Sequence, residues 1–107
     1  MTPIRLTQAT IGVLNTLLDA EPEAPPWGFS ICRDADLGSG TVYPILDRLL
    51  KVRWIESWEE TTAHPGRPPR RYYALTNVGR QQARAAMDAR ASRRRAFLRA
   101  EPTGGLA

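Results

Sequence analysis

Apolar residues recur at steps of three and four through "TQATIGVLNTLLDA", where Ile11, Leu14, Leu17 and Leu18 share a face and Thr7 can cap the first turn. This spacing predicts a core helix over residues 7–20. It stops at "EPEAPP", whose prolines lack a backbone donor and push each preceding residue out of the helical region. "WGFSICRDA" predicts a second, two-turn helix, with Trp27 or Phe29, Ile31 and Cys32 as its apolar positions. Asp36 to Gly38 then turns the chain. In "GSGTVYPILDRLL" a third stripe runs through Val42, Ile45, Leu46, Leu49 and Leu50, opposite Thr41, Tyr43, Pro44, Asp47, Arg48 and Lys51. "RWIESWEE" and "RRYYALT" are rich in aromatic and β-branched residues and predict two strands of a hairpin, with "TTAHPGRPP" as a long tip. Thr76 is placed to cap a last helix. Its stripe of Ala83, Ala86, Met87, Ala91 and Leu98 is weak, so a helix with little else to cover it is expected to pair with a second chain.

The third helix begins with residues that form helices poorly. An N-terminal helix end presents free backbone N–H groups and the positive end of the helix dipole, both suited to phosphate oxygens. Gly38 and Gly40 permit close approach, Ser39 offers a cap, and Thr41 and Tyr43 present hydroxyls. Pro44 lies near the first turn, where its missing N–H leaves mainly the Gly40 carbonyl without a helical partner. The segment trades helix propensity for access.

Charge sharpens this reading. The chain of 107 residues carries 15 basic and 11 acidic side chains, a net +4. Residues 1–60 hold 5 basic and 9 acidic groups, and residues 61–107 hold 10 and 2, so −4 faces +8. A basic half favours a polyanionic partner, and the acidic half is expected to face away from it. The single cysteine, Cys32, excludes an intrachain disulfide and fits a reducing cytoplasm. No apolar run approaches the ~20 residues that span a bilayer. No phosphate-binding glycine loop, Ser/His/Asp arrangement or acid–base pair is present, and His64 has no companion at metal-ligand spacing. Neither an enzyme nor a cofactor or metal protein is expected.

"GSGTVYPILDRLL", "WIESWEE" and "GRPPRRYYALTNVGR" together resemble the PadR family of transcriptional regulators, which carry a "GTVYPIL-RL" recognition helix and a "GRPRRYY-LT--G" wing. The likeness covers roughly residues 28–80. It implies a DNA-binding repressor, usually dimeric, and in many members a response to a small aromatic or drug-like molecule. Two positions depart from the family pattern. Arg53 precedes Trp54 where glycine is usual, and no tryptophan follows Trp58 to serve a ligand at the last helix.

The expected fold is mainly α with a small β-hairpin, a winged helix-turn-helix with a C-terminal dimerisation helix. The DNA-binding domain spans 1–76, the dimerisation helix 77–100, and a disordered tail 101–107. The expected DNA-binding residues are Ser39, Gly40, Thr41, Tyr43, Pro44 and Arg48 of the recognition helix, with His64, Arg67, Arg70 and Arg71 of the wing holding phosphates. The partners are operator DNA and a second copy of the chain in the cytoplasm, with any small-molecule effector left open. The rival readings are a winged-helix module binding an acidic protein and a non-specific nucleic-acid binder.

Overall fold

The computed structural model describes residues 4–62 and 64–99. The expected tail 101–107 and the last position of the predicted final helix lie outside the described residues. Helix α1 spans Gln8–Asp19, α2 Gly28–Ala35 and α3 Ser39–Lys51; strands β1, Ile55–Glu59, and β2, Arg71–Leu75, come next, and α4 closes the order at Asn77–Arg99.

Local chemistry accounts for the boundaries. The Thr10 N–H donates to the Thr7 hydroxyl at 3.1 Å, so Thr7 caps α1. At the start of α2 the Ser30 hydroxyl accepts from the Trp27 N–H and donates to the Trp27 carbonyl, both at 2.9 Å. That helix ends with Asp36 in the left-handed conformation, φ 57°, while the Leu37 N–H reaches back to the Cys32 carbonyl at 3.0 Å. The cap of α3 is Gly38 rather than Ser39: both the Thr41 and Val42 N–H groups donate to the Gly38 carbonyl at 3.0 Å, and Ser39 is already helical. A backbone carbonyl does the work expected of the hydroxyl. Arg53, φ 63°, closes α3 in a left-handed turn that glycine would adopt freely, so the departure from the family glycine leaves the turn in place, with the Trp54 N–H bonded to the Leu49 carbonyl at 3.0 Å.

The strands pair antiparallel, Ile55 opposite Leu75 through Glu59 opposite Arg71. The segment after the prolines extends this ribbon. Trp27 bridges Tyr72, and the Tyr73 N–H donates to the Pro26 carbonyl at 3.0 Å, so residues 26–27 form a short third rung. The core gathers Val13, Leu14 and Leu17 from α1, Ile31 from α2, Val42, Ile45, Leu46 and Leu49 from α3, Ile55, Tyr73 and Leu75 from the hairpin, and Ala83 from α4. Val13 and Thr10 are buried where the periodicity had favoured Ile11 and Leu18, which lie half-buried at the margin.

Helix α4 has two halves. Its first turns belong to the core: Gly79 and Ala83 are buried and Met87 packs against the cluster. Apart from the half-buried Arg90, every residue from Asp88 to Arg99 is exposed, including Ala91 and Leu98 of the expected stripe. The helix of 23 residues is about 35 Å long, of which the exposed turns from Asp88 to Arg99 contribute about 18 Å.

Candidate nucleic-acid interface

One face of α3 is fixed and the other is open. Val42, Ile45, Leu46 and Leu49 are at most 3% exposed; Ser39, Gly40, Thr41, Tyr43, Pro44, Asp47, Arg48 and Lys51 face outward. A Cβ built on Gly38 or Gly40 meets nothing within 4 Å. The chain's own packing therefore does not require glycine there, and the clearance lies on the outer side of the helix N-terminus. Tyr43 is 43% exposed, yet its hydroxyl end rests on Gly28, where a Cβ would overlap it. The side chain thus joins α3 to the start of α2 while leaving one edge free. Burial pushes the Tyr73 phenol up, with Tyr43 adding to the rise, Arg71 opposing it and Asp47 adding further.

The wing tip is organised by a residue the sequence reading passed over. The Glu60 carboxylate accepts both terminal nitrogens of Arg67, at 2.9 and 3.2 Å, the Arg70 backbone N–H at 3.3 Å and the Tyr72 hydroxyl at 3.4 Å. His64 Nε2 lies 3.4 Å from the same group. The Glu60 N–H also bonds the Arg70 carbonyl at 2.7 Å, adding a rung beyond the strands. The fork of Arg67, helped by the Arg70 N–H and the charges of Arg67 and His64, holds the Glu60 carboxyl at about 2 against an ordinary 4.5, although its partial burial works the other way. Within the tip, Gly66 adopts φ 88° and the Arg67 N–H approaches the His64 carbonyl at 3.4 Å, a turn that the sequence His64–Pro65–Gly66–Arg67 suits.

The expected phosphate-binding arginines are therefore engaged within the wing itself. Arg67 is forked on Glu60. Arg70 stacks its guanidinium 4.1 Å from the centre of the Trp27 ring, and its Nε is buried without an acceptor. Arg71 donates to Ser57 at 3.1 Å and to Glu59 at 3.5 Å. His64 and Arg71 remain exposed; Arg67 and Arg70 are half-buried. Nor does the acidic half of the sequence lie wholly apart. Asp47 stands on the open face of α3, and Glu59 and Glu60 sit in the wing. The signal for this was the pair Glu59–Glu60 immediately before a tip rich in arginine, which a two-stranded hairpin folds back onto itself.

A second overlooked residue is Gly79. Thr76 donates its hydroxyl to the Arg53 and Trp54 carbonyls at 2.9 and 3.2 Å and accepts from the Gly79 N–H at 2.9 Å. The first turn of α4 thereby lies directly on the Trp54 carbonyl, and a Cβ on Gly79 would overlap that group. The turn after α3 and the start of α4 form one unit.

Among the described residues, no group of three or more potential ligands could hold a metal ion, and no helix is long and apolar enough to cross a membrane. Helix α2, the turn at Asp36, the half-open α3 and a two-stranded wing define a winged helix-turn-helix protein. The description of the transcriptional regulator PadR-like family matches residues 32–85. The chain belongs to that family, whose members are regulators and not enzymes. A PadR family transcription regulator from Clostridium difficile has a similar structure, with TM-score 0.66 and 20% identity over 84% of this chain and 95% of that one. AbfR of Staphylococcus epidermidis, solved overoxidised and bound to DNA, matches with TM-score 0.64 and 30% identity over 81% of this chain and 59% of its own. MepR, a transcription regulator of the Staphylococcus aureus multidrug efflux pump MepA, aligns at 16% identity and TM-score 0.63 over 92% of this chain and 67% of that one. No curated protein sequence matches the chain.

Proposed function

We propose that this regulator binds double-stranded operator DNA sequence-specifically as a homodimer and represses transcription. The observation that carries the reading is the two-sided α3: four anchored apolar side chains behind, and in front an unobstructed N-terminus with Ser39, Gly40, Thr41, Tyr43, Pro44 and Arg48. A recognition helix enters the major groove in that manner. In this reading Thr41, Tyr43 and Arg48 meet base edges or nearby phosphates, Ser39 and Gly40 offer backbone N–H groups, and Pro44 keeps the first turns rigid. The exposed His64 and Arg71 lie along the flanking backbone, and Arg67 and Arg70 shape the wing that carries them. The relation to AbfR, solved on DNA, supports the choice of ligand. The overhanging half of α4 supports assembly with a second copy.

The test is a mobility shift with DNA from upstream of the protein's own coding region, in the presence of excess random duplex. Retardation that survives competitor is expected. Smearing that competitor abolishes would favour a non-specific binder, and no shift at low salt would favour a protein-interaction module. Tyr43→Ala adds resolution, because it spares the buried stripe. It should cost about 1–3 kcal/mol, concentrated at one operator position. An even loss across operator variants would assign Tyr43 to packing on Gly28 alone.

A further inference from the structure

All three wing arginines are answered within the chain: Arg67 by Glu60, Arg71 by Glu59, and Arg70 by the face of Trp27. The Arg67–Glu60 pair differs in kind from the Arg71–Glu59 pair. It is a two-bond fork at 2.9 and 3.2 Å, with side-chain exposures of 31% and 12%, whereas Arg71–Glu59 is a single 3.5 Å contact with 48% and 60%. A planar guanidinium forked on a carboxylate has its best donors committed, and the pair presents no net charge to an approaching phosphate.

Three further contacts make the fork hard to open. Glu60 is held by the Arg70 N–H and the Tyr72 hydroxyl, and Arg67 also donates to the Pro68 carbonyl at 3.2 Å. For Arg67 to reach a duplex phosphate it must abandon Glu60, leaving a carboxylate beside the DNA. That cost is the same on every sequence. It lowers binding to every duplex alike, and random duplex, which returns little beyond phosphate contacts, reports it without interference from base readout.

We propose that Glu60 masks the charge of the wing tip: by holding Arg67 in a fork and answering its charge, it keeps the tip from binding duplex phosphates and so limits the sequence-independent part of DNA affinity. This rests on the DNA-binding reading above, but its test uses random duplex, so operator recognition can fail without deciding it.

The experiment measures affinity for a random duplex across a salt series for the full chain, Glu60→Gln, Arg67→Ala and the double variant, with thermal unfolding to establish that each is folded. Glu60→Gln keeps the side chain's size and one acceptor but removes its charge. It should bind random duplex about eightfold tighter at 0.1 M salt, with the slope of log affinity against log salt steeper by about 0.9, the increment for one further phosphate contact. The double variant should lose that gain, because Arg67 is its source. Arg67→Ala alone should leave the slope within about 0.3 of the parent, since an answered charge releases few counterions. The idea is overturned if Glu60→Gln binds random duplex no more tightly than the parent, if its gain survives loss of Arg67, or if neither protein binds random duplex at low salt. It is equally overturned if Arg67→Ala alone flattens the slope by about 0.9, which would place Arg67 on phosphate already. That last arm decides the matter even where Glu60→Gln does not fold.

Discussion

Gly79 occupies a position where no side chain fits, pressed on the Trp54 carbonyl at the junction of α3, β1 and α4. Gly79→Ala should therefore cost about 1–3 kcal/mol as the helix is forced off its seat, although alanine is the better helix former. Denaturant unfolding checks it, and unchanged stability would mean that the first turn of α4 is free to shift. Arg53 presents the opposite case. It holds φ 63°, a conformation that disfavours a Cβ by roughly 1–2 kcal/mol, and part of that relief is offset by the greater freedom of glycine in the unfolded chain. Arg53→Gly should stabilise by about 1 kcal/mol, which raises Tm by roughly 4–8 °C in a domain this small. Arg53 could be read from the sequence because the constraint is local and family members mark it with glycine. Gly79 could not, because its constraint comes through space from a carbonyl 25 positions earlier in the chain.

Among elements, the wing shows how far local reading reaches. Aromatic and β-branched content and the turn residues locate both strands to within two residues, and Pro65–Gly66 marks the turn. What the tip does with its charges depends on pairing across the hairpin, with partners 4 to 12 positions from Glu60. Composition cannot supply that. The pairing has a consequence with pH. Because folding lowers the Glu60 carboxyl from 4.5 to about 2, the ionised form is favoured in the folded wing. Its stabilisation is fully present above the ordinary carboxylate range and is lost as pH falls from about 4.5 toward 2. Side-chain carboxyl shifts followed by NMR should place the Glu60 midpoint near 2 in the parent and closer to 4.5 in Arg67→Ala. Equal midpoints would remove Arg67 as the cause. Helix α3 was legible throughout, since its buried stripe has a strong helical period; only its cap moved, from the Ser39 hydroxyl to the Gly38 backbone.

For the molecule as a whole, the boundary expected at residue 77 divides the chain at a point where packing continues. Gly79, Ala83 and Met87 complete the core, so the uncovered part of the helix begins near Asp88. Removing residues 88–107 should convert the proposed dimer to a monomer by light scattering and abolish any dependence of the thermal midpoint on protein concentration, while the core still unfolds cooperatively. A truncated chain that still dimerises would place the interface on the packed half of α4 or on α1. The charge asymmetry between sequence halves does not map onto two sides of the fold, because β1 and the residue after it carry Glu59 and Glu60 from the acidic half directly to Arg71 and Arg67 of the basic one.

The overhang of α4 also carries a thermodynamic condition. Twelve residues, Asp88 to Arg99, lie beyond the core, with Arg90, Arg93, Arg94, Arg95 and Arg99 against a single acid, Asp88. A solitary helix of fewer than about 12–15 residues is marginal in water, and repulsion among neighbouring arginines weakens it further. Continuity with the seated half supplies the nucleus, but no other described element of the chain covers the overhanging turns. In the proposed homodimer, helix order in this arm and association with a second copy form a single coupled equilibrium. Far-UV ellipticity per residue should rise with protein concentration and saturate with the dimer fraction, so the arm's coil-to-helix transition becomes an optical reading of assembly itself.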